Sequence, residues 1–455
     1  MFRSCCRLRV PRRRGGQVWL NAYTLGILCW PQSGVMYTPD AIHSKEVEPM
    51  RTKSFRLSSL AVAVLLGIVL AGCQIPTATP AQPAAPQPTA PPAEKKVEPI
   101  KIGIFSPTTG FAAADGTSAL HAAQLAVKFI NDAGGINGRP IQLIHYDDAA
   151  KPDQAASIAR KLIEQDKVVA GISGSYSGAT RAASPVFQEA GVPMISAYAI
   201  HPDITATGDR IFRVGTLAAV EGRVGAELAG AVLGAKKIAI LTIDNDFGVS
   251  LAEGFKAHAA DLGLEIVLEE KYPLGESDFR PLLSKVKAVE PDAVYASAYY
   301  GEAAQLVSQA KDEGLTAQII GQEGYDSPKF IELAGDAAEG VIITTDLDRD
   351  SKREIVQRFL KEYKAQYGID ADMVGASAFD AVQLLAYAIG KAGTDADAIA
   401  DAIRNLKDFD QAVTGPFWFY TEKREVARPV TAQIVKNGEF HFYHEFDDPE
   451  LVVPK

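Results

Sequence analysis

The chain has 455 residues, 47% of them hydrophobic, and carries a formal net charge of −10. An acidic chain is a poor partner for nucleic acid or for an anionic lipid surface, because both carry charge of the same sign. The cysteines all lie in the first 73 residues, so the rest of the chain offers no disulfides, thiolate metal ligands or thiol nucleophiles.

The N-terminal region is typical of a targeting signal rather than of a fold. Basic residues at 51–56 precede an apolar run that ends in Leu-Ala-Gly-Cys at Cys73, which is the order of a secretory signal peptide followed by a bacterial lipobox. A lipoprotein signal peptide is therefore predicted over 50–72, with Cys73 as the lipidation site. Residues 1–49 are interpreted as a mis-assigned upstream segment.

Residues 73–99 are rich in Pro, Ala, Thr and Gln and predict an extended tether, since this composition cannot build a core. A lipid followed by a spacer indicates an exported domain that only its lipid anchor holds to the membrane, on the periplasmic or extracellular side. Without residues 1–72 the chain has 36 Lys and Arg against 53 Asp and Glu, a net charge of −17. No nucleic-acid partner is expected.

From Ile100 onward, short apolar runs alternate with segments of helical periodicity, which is typical of parallel sheets packed against helices. A first set runs from IKIGIFS to VPMIS. The rhythm restarts after IFRVGT, residues 211–216, and a second set ends at GVIITT. The predicted fold class is α/β, with two Rossmann-like, doubly wound lobes.

Two long helices and a hairpin follow the second set. The first helix is predicted to open at a capping box formed by Ser351 and Glu354 and to end at Gly368. Asn437-Gly438 predicts the tight turn of the closing hairpin. Because these elements come last, the sequence pattern leaves open which lobe they complete.

The sequence lacks the familiar templates for catalysis. In GSYSGAT, Gly174 and Gly178 have the spacing of a nucleophile elbow, but Tyr176 stands where the serine belongs. The stretch has no lysine for a P-loop, and the chain shows no GxGxxG, HExxH or paired-cysteine zinc pattern. Asp147 and Asp148 are interpreted as turn and helix-cap residues rather than as a Ca²⁺ or acid–base site. The prediction is a protein that is not an enzyme and has neither cofactor nor metal.

The same stretch has the position of a ligand site. It leaves a predicted strand and enters a predicted helix, which is where open α/β sheets bind ligands. Its glycines let a ligand approach the backbone, the helix N-terminus favours an anion, and Ser177 and Thr180 add hydroxyl donors. With no Lys or Arg in the loop, a single carboxylate suits it better than a phosphate. A solvated capping loop is the alternative on these residues alone.

Several long segments resemble the family of periplasmic branched-chain amino-acid (leucine/isoleucine/valine) binding proteins, the type I solute receptors of ABC importers. They include YDDAAKPDQAASIARKLIEQDKVVAGISGSYSGAT, AQLAVKFINDAGGINGRPIQL, VPMISAYAIHPDIT, IAILTIDNDFGVSL and GLTAQIIGQEGYDSP. The resemblance implies two lobes joined by three crossovers, formed by residues 100–214 with 345–413 and by residues 215–344 with 414–455. It also implies a small ligand, an amino acid, in the cleft, hinge closure around it, and delivery to the transmembrane subunits of an ABC permease.

The resemblance further implies roles for individual residues. Ser177 matches the serine that holds the ligand carboxylate, Tyr299 an aromatic contact from the second lobe, and Glu323 the acid that pairs with the α-ammonium group. Ala199 matches a small residue that offers its backbone to the ligand. The other predicted contacts surround these positions: Gly178, Ala179, Thr180, Tyr198, Ile200, Phe247 and Asp115.

Four of these positions depart from the family's pattern. Ile200 stands where a threonine hydroxyl is usual, Phe247 where a tyrosine is common, and Tyr198 is bulkier than the usual alanine or serine. Asp115 falls where an aromatic ring commonly walls the side-chain pocket. Because a carboxylate there disfavours leucine, we expect an amino acid or a related amide whose side chain is not simply branched aliphatic.

Two other functions remain open at this point. One is a receptor of the same fold for urea, an amide or an aromatic acid, which would not need an ammonium partner at Glu323. The other is a sensor that reports ligand occupancy to a signalling partner.

Overall fold

The computed structural model describes residues 97–455. The predicted lipidation site at Cys73, the signal peptide, the upstream segment and most of the tether lie outside the described residues. The described part contains two mainly parallel sheets that belong to one compact unit.

The first sheet has five parallel strands in the order β2-β1-β3-β4-β5. The strands are β1 Ile100–Ser106, β2 Ile141–Asp147, β3 Ala170–Ser173, β4 Met194–Ser196 and β5 Ile211–Arg213. The connecting helices are α1 Ala113–Asp132, α2 Pro152–Lys161, α3 Ser177–Glu189 and the short α4 Asp203–Ala206. Strands β1 and β3 are buried along nearly their whole length, so their sequences are continuous apolar runs rather than alternating ones.

The second sheet has seven strands, and its parallel part repeats the strand order of the first sheet. Its helices and strands are α5 Ala218–Glu227, β6 Lys237–Ile243, α6 Asp246–Asp261, β7 Glu265–Tyr272, α7 Arg280–Ala288, β8 Ala293–Ser297, α8 Tyr300–Asp312, β9 Gln318–Gly321, α9 Pro328–Ala334 and β10 Ile342–Thr345. The order is β15-β14-β10-β9-β8-β6-β7. Its last two strands, β14 Val430–Lys436 and β15 Glu439–Phe446, form an antiparallel hairpin on β10.

The remaining elements are α10 Glu354–Tyr367, α11 Met373–Ala392, α12 Ala396–Arg404, β11 Lys407–Phe409, β12 Phe417–Tyr420, β13 Val426–Ala427 and α13 Pro449–Val452. Helix α11 packs along α1, and α10 and α12 adjoin this pair. We call the five-stranded sheet with α1–α4 and α10–α12 the first lobe. The seven-stranded sheet with α5–α9 is the second lobe.

The local signals read from the sequence have mixed outcomes. Gly368 ends α10 with a φ of 75°, and Asn437 and Gly438 have φ values of 55° and 74°, which confirms the helix end and the hairpin turn. The predicted capping box is wrong. The helix begins at Glu354 after Arg353, with no side-chain cap. Ser351 instead accepts a hydrogen bond from the backbone N–H of Arg353, before the helix begins.

Helix α11 lies in the core of the first lobe. By length and composition alone it could cross a membrane. However, 78% of its most apolar 18-residue stretch is buried inside the protein. Asp380, in its interior, is fully buried and accepts hydrogen bonds from the backbone N–H groups of Val413 and Thr414 at 2.7 and 2.9 Å. The carboxylate therefore fixes the chain where it leaves α12 and β11.

The small antiparallel sheet β11-β12-β13 packs with the first lobe, whereas the predicted lobe boundary at residue 414 assigns its last two strands to the second. Its hairpin contacts the first lobe, because the Tyr420 hydroxyl donates to the carbonyl of Arg213 at 2.7 Å and Glu425 forms a buried ion pair with the same arginine. The chain passes to the second lobe only after this hairpin, near Arg428. Residues 415–427 therefore pack with the first lobe, although the prediction places them in the second.

Arg428 ties together the three places where the chain passes between the lobes. Its guanidinium donates to the Thr414 hydroxyl at 2.7 Å, to the Asp346 carbonyl at 3.2 Å and to the Val214 carbonyl at 3.4 Å. The Asp346 carboxylate in turn accepts from the backbone N–H of Thr216 at 2.9 Å. All three connections are thus fastened by one buried network at the edge of the lobes.

Candidate functional site

The site begins with the topology of the two sheets. In the order β2-β1-β3, the connections from β1 and from β3 leave in opposite directions, so a crevice opens at the carboxyl ends of these two strands. The order β7-β6-β8 repeats this arrangement in the second sheet. The helices that start at the two crevices are α1 and α3 in the first lobe and α6 and α8 in the second.

Residues at the start of all four helices line one cavity between the lobes. It leaves room for about one water molecule, since the centre of a water-sized sphere can occupy only about 10 Å³ of it. Seven of the residues predicted as ligand contacts lie on its wall: Asp115, Ser177, Tyr198, Ala199, Phe247, Tyr299 and Glu323. Four further residues, for which the sequence predicts no role in the site, complete the lining: Tyr176, Gly324, Met373 and Val374.

Four predicted contacts do not reach this cavity. Gly178 and Ala179 line an adjoining pocket. Thr180 is fully buried, and its hydroxyl bonds within the loop before α3, so it stabilises the turn instead of facing a ligand. Ile200 is also fully buried, and its N–H donates to the Ser177 hydroxyl oxygen at 3.3 Å.

The first-lobe end of the cavity is suited to an anion. Ser177 is the first residue of α3, where the leading backbone N–H groups have no partner within the helix and the helix dipole is positive. Since its oxygen accepts from Ile200, its O–H remains available to donate. The carbonyl of Ala199 is engaged by Arg213 and by the Ser196 hydroxyl, which leaves its N–H as the group that the backbone can offer.

Glu323 lies on the second-lobe side, in a short 3₁₀ turn after β9. A Cβ on the next residue, Gly324, would lie 2.2 Å from the carbonyl oxygen of Ala298, so glycine is required for the turn to pack this closely. Glu323 is 5% exposed, and among the described residues it forms no ion pair. Burial, followed by repulsion from Glu221, raises its pKa well above the usual range.

Glu221 is a second buried carboxyl group directly behind Glu323. Its Oε1 accepts from the backbone N–H of Glu323 and from the Thr344 hydroxyl, both at 2.9 Å. Its Oε2 has no hydrogen-bond partner within residues 97–455. Burial raises the pKa of Glu221 to about 8. Nothing in its local sequence, VEGR, indicates this position, because only the packing of α5 under the 3₁₀ turn brings the two acids together.

Asp115 is the third buried acid and lies in the first turn of α1. Its Oδ2 accepts from the Tyr176 hydroxyl at 2.7 Å, while its Oδ1 has no partner among the residues described. Burial, followed by repulsion from Asp372, raises the pKa of Asp115 well above its usual range. The cavity is therefore lined by two carboxyl groups on opposite lobes and, within the described part of the chain, by no Lys, Arg or His.

Aromatic rings form most of the remaining wall. The rings of Tyr176 and Tyr299 stack across the lobes with centroids 4.1 Å apart and planes 4° from parallel. Phe247 stacks on the other side of Tyr299 at 4.9 Å, and Tyr198 meets Tyr176 edge-on at 6.2 Å. The sequence does not predict this role for Tyr176, which is notable there only because it occupies the serine position of a nucleophile elbow.

Two further contacts join the lobes. The Tyr300 hydroxyl of the second lobe donates to the carbonyl of Phe111 in the first lobe at 2.7 Å. Arg181 of α3 and Asp246 of α6 form an ion pair at 2.8 Å, with both side chains about two-fifths exposed. In the described range, the structure has no group of three or more His, Cys, Asp and Glu side chains placed to hold a metal ion.

The fold and the cavity define a class, that of two-lobed α/β receptors which enclose a small solute between helix N-termini. The periplasmic binding protein family matches residues 99–439 of the chain, and the protein belongs to this family. Its members are solute-binding proteins rather than enzymes, and they work outside the cytoplasm with membrane permeases. The chain is accordingly a substrate-binding receptor of the ABC-transporter type.

Relatives of known identity differ in what they bind. The chain is 32% identical over 309 residues to a leucine-, isoleucine-, valine-, threonine- and alanine-binding protein of Pseudomonas aeruginosa, covering 67% of this chain and 82% of that protein. A branched-chain amino-acid transporter substrate-binding protein from Streptococcus pneumoniae, solved with isoleucine, is 31% identical with a TM-score of 0.71, covering 75% of this chain and 98% of that one. An ABC-transporter solute-binding protein of Rhodopseudomonas palustris, solved with 3,4-dihydroxybenzoic acid, is 28% identical with a TM-score of 0.71, covering 76% and 97%.

Proposed function

We propose that this receptor binds an amino acid in the cavity between its lobes, closes around it by a hinge motion, and delivers it to an ABC permease. The ligand carboxylate meets the Ser177 hydroxyl and the free N–H groups at the start of α3. The α-ammonium group meets Glu323 from the other lobe. Each lobe thus recognises one end of a zwitterion, which couples binding to closure.

The observation that carries this proposal is the buried carboxyl group of Glu323 opposite a helix N-terminus. An unpaired carboxylate in a protein interior is costly, and Glu323 lies in a cavity wall that, among the described residues, contains no cation. A ligand ammonium group supplies the missing charge. Its charge-assisted hydrogen bond contributes about 1.5–3 kcal/mol, or roughly 10- to 150-fold in affinity.

The test is a calorimetric titration of the refolded protein with amino acids of each side-chain class and with the matching carboxylic acids that lack the amine. In Glu323→Gln, the affinity for the amino acid that binds should fall roughly 10- to 150-fold. The matched control is Glu332→Gln, because Glu332 is an exposed acid in the same lobe, and this variant should bind like the parent protein. Equal loss in both variants, or binding only of ligands without an amine, would overturn the assignment.

An aromatic acid is the second candidate, and the ring-lined cavity together with the dihydroxybenzoate-bound relative favours it. A ligand of this kind would stack between Tyr176 and Tyr299 and place its carboxylate at Ser177. Against it stand Asp115 and Glu323, which offer a mono-anion no partner of opposite charge. The titration separates the two, since benzoate binding should not respond to Glu323→Gln.

The location of the receptor is also a proposal. A lipid at Cys73, followed by the tether, would hold the domain close to the permease, on the outer side of the membrane that contains it. Cys73→Ala should then release the protein into the soluble extracytoplasmic fraction. A variant that stays in the membrane fraction would contradict a lipid-only anchor.

A further inference from the structure

Asp115 is not explained by the recognition of a simple zwitterion. It is 3% exposed, lines the cavity on the first-lobe side, and has one oxygen without a hydrogen-bond partner among the described residues. Its only partner there, the Tyr176 hydroxyl, is neutral. Ser177 and Glu323 suffice for the two charges of an α-amino acid, which leaves the unpartnered oxygen of Asp115 without a role in their recognition.

Charge balance points to a second positive group on the ligand. Two carboxyl groups line the cavity, and one α-ammonium group can neutralise only one of them. A buried carboxylate needs a counter-charge and hydrogen-bond donors to be tolerated in its ionised form. The described lining residues supply Asp115 with one neutral donor, the Tyr176 hydroxyl, and with no cation.

The aromatic wall next to Asp115 is suited to a flat cation. Tyr176 carries the hydroxyl that bonds Asp115, and its ring lies parallel to that of Tyr299. The faces of tyrosine rings attract cations, and a planar guanidinium both stacks on such faces and binds a carboxylate through two parallel N–H groups. If the lobes separate by one ring thickness, a planar group can enter between the two rings with its edge toward Asp115.

We propose that the ligand is an amino acid with a guanidinium side chain, which lies between Tyr176 and Tyr299 and donates to Asp115. This inference rests on the proposed function, in which Ser177 and Glu323 hold the α-carboxylate and the α-ammonium group. The raised pKa of Asp115 agrees with it, since burial without a counter-ion is the main cause of that shift.

The experiment is calorimetric titration of the refolded full-length protein with arginine, citrulline, lysine, leucine and benzoate. Citrulline is the neutral isostere of arginine, so the ratio of their affinities isolates the side-chain charge. We expect arginine to bind roughly 10- to 150-fold more tightly than citrulline. In Asp115→Asn this ratio should fall to near one, because asparagine keeps the shape and a hydrogen-bond acceptor but not the charge.

The matched control is Asp132→Asn at the other end of the same helix, where the carboxylate is 64% exposed. It should leave the ratio unchanged. Should Asp115→Asn fail to fold, the ligand preference of the parent protein still decides, because leucine or citrulline binding as tightly as arginine overturns the inference. Lysine binding as tightly as arginine overturns the planar-cation geometry.

The outcomes also distinguish this inference from the proposed function. Tight leucine binding that is lost in Glu323→Gln would overturn the guanidinium assignment and leave the amino-acid receptor intact. Binding of benzoate alone would overturn both. Binding of nothing in this panel would overturn the guanidinium assignment, and the wider amino-acid titration would then decide the proposed function.

Discussion

Glu323 and Glu221 make the site responsive to pH, because both carboxyl groups hold protons in the folded protein at pH values where they would be ionised in water. Glu323 is also within the field of Asp346 and Asp326, which oppose its ionisation, and of Arg213, which favours it. Arg213 is fully buried and already paired with another acid. The balance therefore favours the protonated form until a ligand brings a positive charge.

The affinity of the site for an ammonium group should depend on pH. An ammonium group favours the ionised acids, so binding should release a proton. Affinity for an amino acid should therefore rise as the pH goes from the usual glutamate pKa of 4.5 to about 8, the pKa of Glu221. The rise should approach a factor of ten per pH unit where one full proton is released. Titrations across this range, in buffers of different ionisation enthalpy, measure both quantities.

The raised pKa values of Glu323 and Glu221 have the opposite consequence for the stability of the fold. The folded chain retains protons that the unfolded chain loses above its usual glutamate pKa of 4.5, so the free energy of unfolding should fall as pH rises from about 4.5 to about 8. In Glu221→Gln, which retains an acceptor for the Glu323 N–H, both pH dependences should become shallower. An affinity that falls with rising pH would contradict the ammonium–Glu323 pairing.

At the scale of elements, the sequence best predicts the features that depend on the backbone conformation of only one or two residues. The end of α10 at Gly368 and the turn at Asn437-Gly438 depend on backbone conformations that glycine and asparagine adopt readily, and both are predicted correctly. The start of α10 is not predicted correctly, because the Ser351 hydroxyl accepts from the backbone N–H of Arg353, before the helix begins. Such competition between a cap and a turn is decided by the surrounding packing.

The site likewise contains features that the sequence predicts and features that it does not. The start of α3 can be located from GSYSGAT, since a loop between strand and helix has a fixed place in such a sheet. Tyr176 could not be assigned, because its role depends on a ring from the other lobe. The roles of Glu221 and Arg428 cannot be predicted from the sequence either, since Glu221 bonds Glu323 and Arg428 bonds Val214 and Asp346, all more than 80 residues away.

At the scale of the whole molecule, the two lobes are joined by connections that share one guanidinium. Arg428 is 1% exposed and bonds all three passages of the chain. A group shared in this way keeps the connections at a fixed spacing while leaving the lobes free to rotate about them. The contacts of Tyr300 with Phe111 and of Arg181 with Asp246, by contrast, join the lobes through exposed groups and can open at low cost.

We predict that Arg428→Met destabilises the protein by about 3–5 kcal/mol, because it leaves Asp346 buried without its counter-charge and several carbonyls without a donor. Chemical unfolding monitored by circular dichroism measures this loss. The control is Arg280→Met, which breaks an exposed ion pair with Asp278 and should cost less than about 1 kcal/mol. Similar losses in the two variants would show that Arg428 does not fasten the hinge.

The length and apolarity of α11 have a consequence for the passage of the chain out of the cytoplasm. A 20-residue helix of mean hydropathy 1.4 could leave a translocation channel sideways and remain in the lipid. Asp380 lies near its middle, and a carboxylate there opposes insertion by roughly 2.5–3.5 kcal/mol. In an exported chain, the residue that fastens α11 to Val413 and Thr414 after folding would earlier keep the same segment from stopping in the bilayer.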